Sequence, residues 1–199
     1  PLTYTLTITE TTGGTTTPAP GTYTYPNGSL VTVAATAFTD YVFDCWNLDG
    51  STVAGPPSIN VTMDANHTLQ AVFTLATHTL TISKTTGGTT SPTPGDHIYV
   101  HGTEVRVNAT ANIGYVFDHW ELDSSDVGSV IPYVVIMNAD HTLHAVFKPL
   151  YTLTITTTTG GTTNPEPGSY QFLEGTVTNV TAISETDFIL DPVSYTHLT

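Results

Sequence analysis

The segment Tyr4-Thr-Leu-Thr-Ile-Thr returns as His78-Thr-Leu-Thr-Ile-Ser and again as Tyr151-Thr-Leu-Thr-Ile-Thr. A stretch that recurs about every 74 residues means that one small module, built in tandem, has to be explained rather than one long fold. The register holds along the chain. Gly13-Gly14, Gly87-Gly88 and Gly160-Gly161 follow the first segment, and Pro18-Ala-Pro-Gly, Pro92-Thr-Pro-Gly and Pro165-Glu-Pro-Gly come next. Phe43-Asp-Cys-Trp46 lands on Phe117-Asp-His-Trp120, and the stretch from Met63 to Phe73 lands on that from Met137 to Phe147. The expected modules are 1–76, 77–149 and 150–199. The third tracks the others to Phe188-Ile-Leu-Asp191 and lacks the Trp and the last two strands. Residues 192–199 leave the pattern, read like translated adapter sequence, and are expected to have no native role in the module.

Within a module the apolar residues alternate. Tyr4, Leu6 and Ile8 share one face of a strand, with Thr5, Thr7 and Thr9 on the other, the pattern of a half-buried β-strand. Val31, Val33 and Ala35 repeat it in the stretch that reads as the central strand. Ile59, Val61 and Met63 repeat it again, as do Leu69, Ala71 and Phe73. No segment has a helical period, so the fold class is all-β: tandem small antiparallel modules of about five to six strands each, the third truncated. The alternation allows a β-grasp-like unit or an Ig-like sandwich. Paired glycines supply positive φ for a reversal, and Pro-x-Pro-Gly makes a second corner. Neither carries the Lys or the helix that a phosphate loop needs.

Phe43 and Trp46 cannot face the same way on a regular strand, so a bulge or bend is expected between them. Phe43, Trp46 and Phe73, with Phe117, Trp120 and Phe147, are the expected core anchors. The alternative for the Trp residues is a ligand platform on the surface. Connectors at Leu75-Ala-Thr77 and Lys148-Pro-Leu150 are short, which leads us to expect closely spaced units in an elongated fragment.

Lys and Arg number 3 against 17 Asp and Glu, a net charge of −14, which repels nucleic acid and anionic membranes. No stretch approaches the roughly 18 apolar residues of a membrane span. A start at Pro1 without Met or leader suggests a piece of a longer chain. Charged residues make up only 10% of the chain, so solubility rests on hydroxyls, Asp and any glycans, which favours an extracellular setting. Cys45 is the single cysteine, faces His119 in the second copy, and reads as a core or strand residue.

Few residues suggest chemistry. His67 and His141 recur after a turn and read as polar strand-start residues. His97, His101 and His119 occur in one copy only, so a zinc site there would be unique to that module. Asp44, Asp49, Asp64, Asp118, Asp123, Asp126 and Asp140 cluster in turns and could bind Ca2+ incidentally, although no Asp-x-Asp-x-Asp-Gly loop occurs. No nucleophile with base and oxyanion donors is legible, so no catalytic residue, cofactor or enzymatic activity is expected. Asn27-Gly-Ser, Asn60-Val-Thr, Asn66-His-Thr, Asn108-Ala-Thr and Asn179-Val-Thr fit the N-glycosylation rule. Asn60, Asn108 and Asn179 are expected on outward-facing strand positions.

These motifs in this order, Tyr-Thr-Leu-Thr-Ile, Gly-Gly-Thr, Pro-x-Pro-Gly, Val-Phe-Asp-x-Trp and Met-x-Ala-x-His-Thr-Leu-x-Ala-Val-Phe, closely resemble the divergent InlB B-repeat family over nearly all of residues 4–191. The resemblance implies β-grasp-like units without catalytic residues, arrayed in secreted and cell-wall-associated proteins of bacteria and archaea. It also implies a stalk or spacer that presents an adhesive or other head. Two other readings remain open: a module that binds a cell-surface glycan or host protein through turns or an edge strand, and an accessory domain of a secreted carbohydrate-active enzyme.

Overall fold

A computed structural model describes residues 2–190. The off-pattern tail at 192–199 lies outside the described residues, as does Asp191. The first repeat carries β1 (Thr3–Glu10), β2 (Gly14–Thr17), β3 (Gly21–Pro26), β4 (Leu30–Ala37), β5 (Tyr41–Leu48), β6 (Ser51–Val53), β7 (Ser58–Thr62) and β8 (His67–Leu75). The second carries β9 (Thr77–Lys84), β10 (Gly88–Ser91), β11 (Gly95–Val100), β12 (Glu104–Ala111), β13 (Tyr115–Leu122), β14 (Ser125–Asp126), β15 (Tyr133–Ile136) and β16 (His141–Ile155). The third adds β17 (Gly161–Asn164), β18 (Gly168–Leu173) and β19 (Thr181–Ser184). The protein is all-β. Each complete repeat has more strands than the expected five or six, because the Gly-Gly and Pro-x-Pro-Gly turns flank short strands such as β2 and β3 whose Thr-rich sequences read as loop.

In the first repeat two sheets face each other. One is ordered β3-β1-β8-β5-β6 and the other β2-β4-β7. Thus β4 is central to the smaller sheet, while the larger is centred on β8. One pairing departs from the expected antiparallel arrangement: β1 and β8 run parallel, with Ile8 opposite Leu69. Parallel neighbours need a long crossover, which the chain from β2 to β7 supplies by passing through the second sheet. A mixed sheet with first and last strands parallel at its centre is the β-grasp arrangement, here backed by a small sheet in place of a helix. In the second repeat the corresponding orders are β11-β9-β16-β13-β14 and β10-β12-β15.

The alternation expected from the sequence fills the space between the sheets. Leu6, Ile8, Val31, Val33, Trp46, Val61, Met63, Leu69, Ala71 and Phe73 form one buried cluster. Leu80, Ile82, Val105, Val107, Trp120, Val135, Met137, Leu143, Ala145 and Phe147 are their buried counterparts. Burying a side chain of this size contributes about 1.5–3 kcal/mol, which is how so small a unit offsets its chain entropy.

The connectors are shorter than expected. Only Ala76 separates β8 from β9; its N–H donates to the Asp40 carbonyl at 2.8 Å and its carbonyl accepts from the His101 N–H at 2.8 Å. At Lys148-Pro-Leu150 there is no connector at all, because β16 runs unbroken through it. Its first half pairs with β13 and its second half with β18, so one strand closes the second repeat and opens the third. The residues pack as two compact units. One takes in everything up to Leu80 with His97–Val105 and Ile136–His141, and the other Thr81–Asp96, Arg106–Val135 and the described residues from Thr142 onward.

Among the described residues of the third repeat, β16 pairs with β18 and β17 with β19. Ile155 and Thr163 are buried there, but Leu153, Leu173, Ile183 and Phe188 are exposed. An open groove of about 430 Å³ lies over Gly160 and Gly161, lined by Ile183, Phe188 and Ile189.

Candidate functional site

The aromatic residues have first claim to be a site, and the structure places them inside. The β5–β8 ladder slips between Phe43 and Cys45, and the β13–β16 ladder between Phe117 and His119. This is the irregularity that the spacing of Phe43 and Trp46 requires. With the slip, Trp46 and Trp120 are 1% and 0% exposed. Their indole N–H groups donate to the carbonyls of Pro56 at 3.3 Å and Val130 at 3.1 Å. Phe43 stands 5.3 Å from Trp46 and 6.0 Å from Phe73, ring centre to ring centre; Phe117 stands 5.1 Å from Trp120 and 5.6 Å from Phe147. Phe73 and Phe147 are buried, while Phe43 and Phe117 are half-buried rims of the same stack. The Trp faces are therefore closed to a ligand.

The glycine pairs have two different tasks. Gly13, Gly87 and Gly160 take φ of 115°, 100° and 99°, a region that L residues avoid. A Cβ on them would land on the ring of Tyr41, Tyr115 or Phe188. The second glycine is needed for space alone: a Cβ on Gly14 or Gly88 would land on Phe73 or Phe147. The pair is a seat for two aromatic rings as well as a turn. No sequence signal shows this, since both partners lie far along the chain.

His67 is more than a strand-start residue. Its Nδ1 lies 2.6 Å from Asp49 Oδ2 and its Nε2 3.0 Å from Asp64 Oδ1. Asp49 Oδ1 also accepts from the Thr68 N–H at 2.7 Å, and in the second repeat Asp123 Oδ1 accepts from the Thr142 N–H at 2.8 Å. There His141 Nε2 lies 3.0 Å from Asn138 Oδ1. The clamp pins the β5–β6 turn to the start of β8. The legible trace of it is the equal spacing of Asp49 to His67 and Asp123 to His141. The Thr68 amide and then His67 hold the Asp49 carboxyl below its usual range, and the bond to Asp49 raises the His67 imidazole. A raised imidazole stabilises the fold fully below its ordinary range and stops doing so as pH rises through the raised value. A lowered carboxyl does so above its ordinary range and stops as pH falls through the lowered value. Stability from this clamp should therefore peak at about pH 5–6. Thermal melts should fall between about pH 6 and 8 by more in the native chain than in a His67→Gln variant; equal slopes would show that the clamp does not act on stability.

The remaining candidates are dispersed. His119 Nδ1 lies 2.7 Å from Asp118, whose carboxyl Lys148 engages at 2.8 Å. Lys148 and then His119 lower the Asp118 carboxyl, and the bond to Asp118 raises His119. His97 stacks on Tyr99, and His101 lies against His78. His97, His101 and His119 do not converge on one point. Asp44 accepts from the Cys45 thiol, Asp126 from the Gly128 N–H and Asp140 from the Thr79 N–H. Among the described residues no three His, Cys, Asp or Glu side chains gather as a metal site. Burial, and then Asp44, push the Cys45 thiol up, away from a reactive thiolate.

All five sequon asparagines are exposed. Asn60 and Asn108 lie on β7 and β12, and Asn27 lies in the turn after β3. Asn60 Oδ1 accepts from Thr32 Oγ1 at 2.7 Å, and Asn66 Oδ1 accepts from the Thr5 N–H at 2.9 Å. Asn179 is not on a strand: it lies in the irregular segment before β19, because the alternation of Val177, Asn179 and Thr181 meets no partner strand until Thr181.

No curated protein and no solved structure matches the chain. A family model described as divergent InlB B-repeat domain matches residues 4–77 and 78–150, the two repeats with complete sandwiches. On that match, and on the recurrence of the same buried residues in both, the chain belongs to the divergent InlB B-repeat family.

Proposed function

We propose that these repeats are spacer segments of a secreted or cell-wall-associated prokaryotic surface protein, holding an adhesive or other head domain away from the cell. The family is one of repeat modules associated with surface proteins. The observation that carries the reading is what recurs between the copies. Core and turn positions repeat, whereas exposed positions change: Phe38 against Asn112, Asp64 against Asn138, Thr32 against Arg106. A binding or catalytic site repeated in each module would keep its surface chemistry, and a spacer needs only its fold. The burial of both Trp residues removes the aromatic platform that a glycan-binding module would present. The extracellular setting and the neighbouring repeats as partners follow from the same reading.

The test is to place zero, one or two copies of residues 4–150 between a membrane anchor and an unrelated binding head on a bacterial surface. Capture of bead-bound ligand by the head should rise with copy number. The isolated segment should bind no glycan on an array. Saturable glycan or host-protein binding by residues 4–150 alone would replace the spacer reading with an adhesion module.

A further inference from the structure

At the junction between the first two repeats, His78 on β9 and His101 just after β11 face each other, with Nε2 of His78 3.1 Å from Nδ1 of His101 and ring centres 5.3 Å apart. Two imidazole nitrogens bound to one tetrahedral ion at about 2.0–2.1 Å lie about 3.3 Å apart, so the observed gap needs to widen by only a few tenths of an ångström. The outer nitrogens complete the pattern. His78 Nδ1 lies 3.7 Å from Asp140 Oδ1, and His101 Nε2 lies 3.6 Å from Asp40 Oδ2. Both carboxylates stand at ion-pair rather than hydrogen-bond distance, and a small shift of either would give the carboxylate-backed imidazole that orients a ligating ring and raises its basicity toward a metal. We infer that His78 and His101 form a two-nitrogen site for a divalent transition-metal ion such as Zn2+ or Ni2+, backed by Asp140 and Asp40.

The backbone prepares the site. Asp140 Oδ1 accepts from the Thr79 N–H at 2.8 Å, which fixes the carboxylate beside His78. The His101 N–H donates to the Ala76 carbonyl and the Ala76 N–H to the Asp40 carbonyl, each at 2.8 Å, so these residues are tied through one connector residue. The imidazoles are 20% and 22% exposed, enough for an ion to enter, and the net charge of −14 draws cations to the chain. Water or a donor from another molecule fills the remaining coordination positions.

The fold does not need this histidine pair. In the first repeat the same positions carry Tyr4 and Asn27, and in the third Tyr151 and Glu174, so both histidines appear together and only at this junction. A bare imidazole–imidazole contact leaves unexplained why a carboxylate stands behind each ring: Asn66, which accepts from the Thr5 N–H, shows that the backbone bond made by Asp140 needs no charge. A bound cation explains both carboxylates.

The repeats themselves supply the test variants. His78→Tyr and His101→Asn install residues that the fold already accepts, as does Asp140→Asn, which keeps the acceptor for Thr79. Calorimetric titration with Zn2+ and Ni2+ should give one ion per chain at pH 7.5. Binding should vanish in His78→Tyr and in His101→Asn, weaken about tenfold or more in Asp140→Asn, and persist in His97→Tyr. Sub-stoichiometric Ni2+ should broaden the ring-proton signals of His78 and His101 before those of His67 and His119, a reading that needs no variant. Absence of binding, binding untouched by both histidine variants, or first broadening at other histidines would overturn the site.

Discussion

Replacing Trp120 with Ala should destabilise the second repeat by about 3–5 kcal/mol, which is most of the stability that a module of this size holds. The indole is 0% exposed, packs against Phe117, and donates to the Val130 carbonyl. Truncation therefore leaves a large cavity and removes the indole's bond to the Val130 carbonyl together. Trp46→Ala should do the same to the first repeat. Because each Trp serves its own cluster, denaturant melts of the two variants should each show one early transition, with the other repeat still folded. A loss below about 1 kcal/mol in either would mean that the core is not organised around these rings.

The second large effect is expected at the glycine pairs. Gly87→Ala meets both obstacles at once, a φ of 100° and the ring of Tyr115 where its Cβ must go. Left-handed backbone costs about 1–2 kcal/mol for an L residue, and overpacking adds about 1–3 kcal/mol. A total of about 2–5 kcal/mol is the expected loss, with Gly88→Ala closer to the overpacking cost alone. Gly102→Ala makes the comparison: its φ is 82°, yet no atom lies where the new Cβ would go, so it should lose only the backbone part. Equal losses at Gly87 and Gly102 would show that the Tyr115 ring is not seated on the glycine.

The strand class, the two tandem family repeats and their inward residues were legible because period-two alternation survives in both copies. The direction of pairing was not. Leu6, Ile8, Leu69 and Ala71 alternate identically whether β1 and β8 run parallel or antiparallel, and only the path of the intervening chain decides. Short strands such as β2 were hidden because Gly-Thr-Thr-Thr has the composition of a loop and becomes strand only when Ala35 and Thr36 lie beside it. At the candidate sites, His67 was visible as a recurring residue but its clamp was not, since Asp49 meets it through a turn. The His78–His101 pair was invisible for the same reason, with one ring on a strand and the other at the end of a hairpin. Asn179 was misplaced because alternation alone does not supply a partner strand.

A repeat becomes stable when its last strand closes against its first, and the described third repeat lacks this closure. Residue-resolved hydrogen exchange on the monomeric chain tests it most directly. Amides of Leu6, Ile8, Leu69 and Ala71, and of Leu143, Ala145 and Phe147, should exchange only through global opening of their repeats. Those of Thr162, Thr163, Ala182 and Ile183 should exchange far faster, through local opening. Protection of β17 and β19 equal to that of the second repeat would contradict the claim.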